Sequence, residues 1–486
     1  MNQPDWSRPQ RQPIAGLGIV FLNTFWEVIK RLWPFLILML IGDRDKEGVN
    51  RYELLALFFL LFTIISAILN FIYFKFHIED DKLVIKKGWF KKETKVIPLN
   101  KIQTVNIEQG PLHQVLNIVK LSIDTAGSQK AEATIDALHK HMAEALRQQL
   151  VAEVPVDTEI GIQPEPALPL VKLHAKDLLK LSISANHLEA FFILLSFGIG
   201  LYDNLKDINN NLFSGMQDVI PESSLMPILM LMVLVLLVTI LFSTTRIFLR
   251  FWDLTVMRTP TGFSIQSGLT NIRNRLVSLP KIQFISWKSN WIRKLMGLWM
   301  LQYHVAGGDE LKNKLTVQVP ITRYHDIPVL SGDYHSLPST VDQIFVRMHR
   351  SFIYRRLLAM GILPSLLIIP LLWWIWNETA LFYLIVPFAI GIIAWCSQRK
   401  FRLWAMDDVL YIKKGILGEE RILMKWYKLQ SVQLSQSIYQ RKKGLANLTL
   451  HTAGGRITIY YIPLPAAYAI LNFSLYKTET SKETWQ

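Results

Sequence analysis

Long apolar stretches alternate along this chain with segments in which apolar and polar residues take turns. The apolar stretches form three pairs, at residues 16–41 and 54–74, 188–202 and 225–242, and 357–376 and 380–397. A membrane-spanning helix needs about 20 consecutive, mostly apolar residues. Only Asn377, Glu378 and Thr379 separate the last two stretches, which forces a helical hairpin. The pattern predicts six transmembrane helices in three pairs.

Two of the six stretches are imperfect. Glu27, Lys30 and Arg31 interrupt the first, so its helix either starts in the membrane interface and kinks near Pro34 or does not span. The third is short, and we expect it to borrow residues from Leu181 onwards to reach the required length.

The segment after each pair alternates between apolar and polar residues with a period of two, which is typical of half-buried strands. In the last segment Leu448 and Leu450 follow this pattern, a turn containing glycine comes next, and Ile457 and Ile459 continue it on a return strand. Equivalent turns are predicted at 126–128 and 307–308, and closing helices at 141–150 and 466–475. Each segment is therefore predicted to be a small antiparallel β-barrel or curved sheet with a helical lid, which makes the chain an α+β membrane protein.

One structural unit is used three times. A glycine at 88, 268 and 415 precedes, by the same 13 residues, a lysine that starts a Lys-apolar-Gln step. These lysines, at 101, 281 and 428, precede the alanine of a hairpin turn by the same 25 residues. Two intervals that are kept in three copies indicate an internal repeat.

These patterns divide the chain into seven segments. They are 1–75 with the first transmembrane pair, 76–150 the first unit, 151–187 a linker rich in proline and acidic residues with an interfacial helix, 188–250 the second pair, 251–336 the second unit, 337–400 a basic interfacial helix with the third pair, and 401–486 the third unit with a polar tail. The two interfacial helices, at 172–180 and 341–356, are expected to lie on the inner membrane surface.

The composition is that of a membrane protein, since 51% of the 486 residues are hydrophobic and only 19% are charged. The net charge of +15 follows from lysines and arginines that lie after the pairs rather than within them. By the positive-inside rule both termini and all three units face the cytoplasm, and no nucleic acid is expected as a partner. The single Cys396 excludes an intrachain disulfide, and residues 1–12 lack the apolar core of a cleaved signal peptide.

No catalytic or metal-binding pattern occurs in the sequence, so we predict neither an enzyme nor a cofactor. Asp80–Asp81 and Asp407–Asp408 precede strands and are interpreted as polar turns. Basic clusters recur on the units, and basic residues beside an anionic membrane leaflet attract its headgroups. The candidate residues for binding a lipid or a partner are Lys86, Lys87, Lys413, Lys414, Arg441, Lys442 and Lys443.

The third unit resembles the bacterial pleckstrin-homology-like (PH-like) domain of membrane proteins. The resemblance is carried by residues 436–441, Gly444–Leu445, Leu448, Leu450 and the turn at 452–455. Three copies, each after a transmembrane pair, are similar in arrangement to the YdbT-type proteins. The first copy departs from the pattern, because Asn117 stands where the other copies have Gly297 and Gly444.

The resemblance implies a PH-like fold, a bacterial inner membrane and, as a partner, a smaller membrane protein with one copy of the domain. It implies no reaction. We therefore expect a non-enzymatic scaffold or assembly factor in envelope maintenance or stress defence, which binds membrane lipids or such a partner. The alternative is a component of a transporter or exporter, which would need ionisable groups along a pathway inside its spans.

Overall fold

The computed structural model describes residues 5–26, 29–30, 51–89, 92–125, 133–151, 169–185, 187, 190–197, 200, 226–259, 262–305, 316–332, 334–337 and 345–481. Within these residues each predicted unit forms six strands, because alternate apolar side chains bury one face of each strand. The strands of the first unit are β1 Lys75–Glu79, β2 Lys82–Lys87, β3 Glu93–Pro98, β4 Ile102–Gln109, β5 Ile118–Thr125 and β6 Ala133–His139. A short β7, Val171–Lys172, precedes the second unit, whose strands are β8 Thr255–Thr259, β9 Gly262–Ser267, β10 Ile272–Ser278, β11 Ile282–Ser289, β12 Leu298–Val305 and β13 Thr316–Arg323. The third unit has β14 Arg402–Ala405, β15 Val409–Lys414, β16 Glu419–Lys425, β17 Leu429–Ser435, β18 Leu445–Thr452 and β19 Gly455–Pro463.

Helices precede, interrupt and close the units. They are α1 Ile14–Trp26, α2 Arg51–Tyr73, α3 Pro111–Val115, α4 Lys140–Val151, α5 Ala175–Ile183, α6 Met226–Phe251, α7 Trp291–Leu295, α8 Ile327–Gly332, α9 Ser351–Ile375, α10 Ile385–Lys400, α11 Ile438–Lys442 and α12 Leu464–Thr480. The helices α4 and α12 agree with the closing helices predicted at 141–150 and 466–475. The short helices α3, α7 and α11 each join the fourth and fifth strands of a unit.

The Lys-apolar-Gln step has the same structure in all three units. Its lysine ends a 3-10 turn, and its apolar residue, Ile102, Ile282 or Leu429, is the buried first residue of the next strand. The strand register shifts at the glutamine that follows, which marks a β-bulge. The repeated step therefore encodes a turn and a bulge.

The position of Asn117 shows that the first unit keeps the same backbone. Asn117 has a φ of 51°, and Gly297 and Gly444 have φ values of 68° and 63°. Asparagine adopts this left-handed conformation more readily than most residues with a side chain. The departure of the first copy at this position therefore leaves the fold unchanged.

The units share their β-sheets instead of forming three closed barrels. Strands β4–β6 of the first unit join β8–β10 of the second in one sheet, with β7 at its end. Strands β11–β13 of the second unit join β14–β16 of the third in another. Only β1–β3 and β17–β19, at the two ends of the row, form three-stranded sheets. The separate β-barrel or curved sheet predicted for each unit is thus corrected to a continuous row of units.

Three hydrophobic clusters lie along the row of units. One surrounds Phe76 and Leu121 in the first unit, a second surrounds Trp287 and Tyr303 in the second, and a third surrounds Trp426 and Leu450 in the third. All six of these side chains are at most 1% exposed. The second cluster also contains Trp404 and Tyr411 of the third unit, so the second and third units share a core as well as a sheet.

Three helices of the described residues are long and apolar enough to cross a membrane. They are Met232–Phe251, Ser351–Ile375 and Ala380–Lys400, whereas Ile14–Trp26 and Leu61–Tyr73 form shorter apolar helices. The described residues therefore support the third predicted pair and the second helix of the second pair, and not six helices in three pairs. Residues 31–50 and 201–225, which include most of the first stretch and the connections within the first two pairs, lie outside the described residues, as do the hairpin turns at 126–128 and 307–308.

Both predicted interfacial helices are corrected by the structure. The helix predicted at 172–180 is replaced by the end of β7 and the first part of α5. Leu173, Leu178 and Leu181 are buried in the core of the second unit instead of facing the membrane. In the second, the described residues 345–350 are not helical, and helix α9 begins at Ser351. It continues without a break into the span, because the apolar residues follow directly.

Candidate functional site

The topology of each unit defines an end that lies next to the apolar helix before it. In the first and third units, the first strand starts within two residues of an apolar helix and leads away from it. The second strand returns antiparallel, which places Lys86 opposite Lys75 and Lys413 opposite Arg402. The turn that follows the returning strand is thereby brought back to the end of the helix.

Hydrogen bonds attach these turns to the spanning helices. The backbone N–H groups of Gly268 and Leu269 donate to the carbonyls of Trp252 and Leu249 at the end of α6, each at 2.9 Å. The Nζ atom of Lys400, the last residue of α10, donates to the carbonyl of Leu417 at 3.0 Å. The turns therefore lie at the membrane surface if α6 and α10 span it.

The short helices α3, α7 and α11 lie at the same end. Gln114 of α3 donates to the carbonyls of Leu269 and Thr270, in the turn that is bound to α6. The hydroxyl of Tyr439, in α11, donates to Ser351 Oγ, in the first residue of α9, at 3.2 Å. We call the turns after β2, β9 and β15, together with α3, α7 and α11, the membrane-proximal rim.

Large apolar side chains are exposed on this rim. In α3 and α7, Val115 is 84% exposed and Leu295 is 80% exposed, and Ile438 of α11 is 81% exposed. Leu417, in the turn after β15, is 66% exposed. Apolar side chains beside basic ones are typical of surfaces that rest in the interfacial region of a bilayer.

Two joints connect the units, and both use the same strand pairing. The third strand of one unit pairs antiparallel with the fourth strand of the unit before it, β10 with β4 and β16 with β11. Arg273 lies opposite Glu108 in the first joint, and Glu420 lies opposite Lys288 in the second. These two pairs occupy the same position in the repeat but have reversed charges. The register of the joint is therefore a property of the repeated unit.

The lysine of the Lys-apolar-Gln step lies in the joints. Lys281 donates a hydrogen bond to the carbonyl of Ile102 in the first unit, and Lys428 donates one to the carbonyl of Pro280 in the second, the latter at 2.6 Å. Lys428 is only 2% exposed, and burial lowers the pKa of Lys281 to about 8. Lys101, in the first of the three units, is exposed.

A buried carboxylate connects the second joint to the rim. Glu419, 6% exposed, lies 3.0 Å from Lys294 of α7, 3.2 Å from Lys413 and 2.6 Å from Arg421. Burial by itself raises the pKa of Glu419, but hydrogen bonds from Lys294 and Arg421 and the charges of Arg421 and Lys413 outweigh it and lower the pKa to about 2. The group therefore stays ionised and holds the second and third units together.

Four arginines gather where the first joint meets α6. Arg250, in the last turn of α6, lies within electrostatic range of Arg246, Arg273 and Arg275. Burial and the charge of Arg273 lower the pKa of Arg275, while Glu108 and Asp124 oppose this effect. The Oε1 atom of Glu108 lies 3.9 Å from the Nε atom of Arg273. The cluster is a concentration of positive charge at the end of α6.

A profile of the Bacterial PH domain family matches residues 20–154, 194–330 and 350–478. Each match covers one predicted transmembrane pair, in whole or in large part, and most of the unit that follows it. The chain belongs to the bacterial PH domain family. It is also 24% identical to the UPF0699 transmembrane protein YdbT of Bacillus subtilis (strain 168) over 474 residues, which cover 91% of this chain and 92% of that protein. The predicted resemblance is confirmed, and the chain is a membrane protein with three bacterial PH domains.

The predicted site residues all lie near the rim of the PH domains, but the structure separates them into two groups. Lys87 pairs with Glu93 at 3.3 Å, Lys413 with Glu419, and Lys414 with Glu420 at 3.6 Å. These lysines already have carboxylate partners within their own domain. Lys86 and the cluster Arg441, Lys442 and Lys443 are exposed.

The sequence interpretation missed the residues that join the PH domains. Lys281 and Lys428 were assigned to the fold, although the kept spacing of this lysine was a signal that it has the same role in each copy. Glu419 was not selected, although it follows a turn that brings it back towards Lys413. Arg250 and Arg275 cannot be paired from the sequence, because nothing in their spacing brings them together.

Proposed function

We propose that this chain is a non-enzymatic scaffold of the bacterial inner membrane that holds three PH domains in a fixed row on the cytoplasmic surface. Six helices in three pairs would anchor the row, and lysines and arginines after the pairs favour cytoplasmic units and termini. The proposed role includes assembly or stress defence of the envelope. Its partners would be anionic lipids and a membrane protein that carries a PH domain.

The exposed apolar and basic side chains of the rim carry this proposal. They lie at the ends of apolar helices and next to a leaflet whose headgroups they fit. Each lysine or arginine near an anionic leaflet contributes roughly 1 kcal/mol of attraction. The exposed pair Lys442 and Lys443 would therefore contribute about 2 kcal/mol by the same rule.

The transporter alternative finds less support in the third pair. A pathway needs ionisable groups inside the spans. Between residues 357 and 398 the only Asp, Glu, Lys or Arg is Glu378, which lies in the connection between α9 and α10. Pro364, Pro370 and Pro387 lie in these helices, where they are compatible with kinks.

The proposed lipid contact is tested with the full chain in nanodiscs that contain phosphatidylglycerol and phosphatidylcholine. Native mass spectrometry counts the anionic lipids that the released protein retains. We expect Lys442→Glu/Lys443→Glu to retain fewer than the wild type. Lys82→Glu, which changes an exposed lysine at the far end of the first unit, is the matched control and should retain the wild-type number. Equal retention by the wild type and the double variant would remove lipid binding from the proposed function.

A further inference from the structure

The row of units ends in two strands, β3 and β17, that each lie at the edge of a three-stranded sheet. In each joint, the fourth strand of one unit pairs with the third strand of the next. The fourth strand of the third unit, β17, is at the end of its sheet, and among the described residues it pairs only with β18. It occupies the position from which β4 and β11 hold the following unit.

The side chains of β17 are more exposed than those of its counterparts. Leu434 is half-buried, whereas the corresponding Ile107 and Trp287 are 7% and 1% exposed in their joints. The strand Leu429–Ser435 contains no charged residue and no proline. Soluble proteins protect edge strands from pairing with charges, prolines and bulges. An uncharged edge with an apolar residue that is only half-buried is a surface for adding a strand from another chain.

The charges beside β17 select the kind of partner. In the second joint, Lys294 of α7 reaches Glu419, the first residue of the incoming strand. The residue that corresponds to Lys294 in α11 is Arg441, and Lys442 and Lys443 follow it. An incoming strand should therefore carry an acidic residue at the position that Glu419 has in the second joint.

A second copy of this chain does not meet this requirement. Its own third strand, β3, has Lys92 at the position of Glu419. Head-to-tail association of two copies would place Lys92 against Arg441, and like charges that face each other across an interface disfavour the complex. The partner is thus a different chain.

We propose that β17 pairs with the third strand of a PH-like unit in another membrane protein, antiparallel and in the register of the two joints. The partner strand has an acidic residue at the position of Glu419, where it faces Arg441, and the partner's lysine at the Lys101 position enters the third unit as Lys428 enters the second. This inference rests on the proposed scaffold function and gives its partner a place and a register. The row would then extend to a fourth unit without a change in geometry.

The test uses the full chain in its native membrane with a photoreactive amino acid in place of Gln433, which is exposed on β17. Irradiation should produce one major protein adduct, and peptide mapping should place the cross-link on the third strand of a PH-like unit. Arg441→Glu should lower the yield on the order of tenfold or more, because it opposes the acidic residue. Leu434→Lys should lower it as well, by charging the edge. The same photoreactive residue in place of Thr94, exposed on β3, is the matched control and should give no such adduct.

An adduct with a protein that has no PH-like unit, an adduct only with lipid, or no adduct would overturn the proposal. A cross-link between two copies of this chain would also overturn it. These outcomes are separate from the lipid test, since Leu434→Lys leaves Lys442 and Lys443 in place. Loss of the adduct with unchanged lipid retention removes only the docking surface, and loss of lipid retention with an intact adduct removes only the lipid contact.

As a second measurement, Lys92→Glu places, just before this chain's own β3, the acidic residue that the partner is inferred to have at the position of Glu419. Differently tagged copies of this variant should associate head to tail, and Leu434→Lys should abolish the association. The wild-type copies should remain separate. If Lys92→Glu copies do not associate, the charge rule for the partner is wrong.

Discussion

At the scale of single residues, a lysine kept in all three copies connects units instead of performing a reaction. Lys281 and Lys428 each donate to a backbone carbonyl of the preceding unit. Placing an ammonium group in such a site costs desolvation, and the hydrogen bond offsets part of that cost. Lys101 is exposed because its unit is the first in the row. One position thus has two environments, which makes it suitable for a controlled comparison.

We expect Lys428→Met to destabilise the protein by about 1–3 kcal/mol, because it leaves the carbonyl of Pro280 without its buried donor. Lys101→Met, the matched control at an exposed position, should change the stability by less than about 0.5 kcal/mol. Thermal unfolding of both variants in the same detergent measures the difference. Equal shifts in the two variants would show that the lysine does not hold the joint.

At the scale of elements, the joints turn three small units into one row. The same antiparallel register connects β4 to β10 and β11 to β16, and the reversed charges of the two joints distinguish one from the other. In the second joint Glu419 adds a cluster of three cationic partners from α7, β15 and β16. Removal of a buried carboxylate with several cationic partners strongly destabilises a protein, because those partners lose their counter-charge.

The second joint should weaken in acid. The pKa of Glu419 in the folded protein, about 2, is below its ordinary value of 4.5, so its contribution to stability is complete above about pH 4.5 and is lost as the pH falls towards 2. Glu419→Gln should remove this contribution at neutral pH and flatten the pH dependence of the thermal midpoint between pH 5 and 3. Glu420→Gln, which changes a more exposed carboxylate paired with Lys414, should cost less than about 1 kcal/mol. An unchanged pH dependence in Glu419→Gln would contradict the role of this carboxylate.

The sequence predicts strands such as β18 and β19 well, because Leu448, Leu450, Ile457 and Ile459 face one core in alternation. It also predicts the polar turn at Asp80–Asp81, where both residues have positive φ values. It does not predict the joints, since the apolar period of β10 and β16 is the same whether or not a strand from another unit lies beside them. The period fixes which face of a strand is buried but not its neighbour at the edge.

The sequence predicts the candidate site only in part, again because it does not show which residues lie opposite one another. Basic residues at the ends of β2, β15 and α11 do lie at the rim, because the turns that contain the repeated glycine return to the ends of the apolar helices. Whether such a residue is free to bind a lipid or a partner depends on the residue opposite it in the hairpin. Lys87 and Lys414 lie opposite Glu93 and Glu420, a pairing that only the hairpin register reveals.

At the scale of the whole molecule, the row of PH domains has a membrane-proximal and a distal side. The rim, with Leu295 and Ile438, lies at the ends of the apolar helices, and the turns between β1 and β2 and between β14 and β15 lie at the opposite end. A scaffold that rests on the bilayer through its rim leaves the end of β17 accessible to a partner in the same membrane. Contact between the rim and the lipid bilayer is therefore what the scaffold depends on.

The depth of spin labels in nanodiscs tests this contact most directly. With Cys396 replaced by alanine, single cysteines at Leu295 and Ile438 report on the rim, and those at the exposed Asp81 and Asp407 report on the distal turns. Power-saturation electron paramagnetic resonance should show high collision rates with oxygen and low rates with a water-soluble nickel chelate for the rim labels. The distal labels should show the reverse. Rim labels as accessible to the nickel chelate as the distal ones would contradict the account.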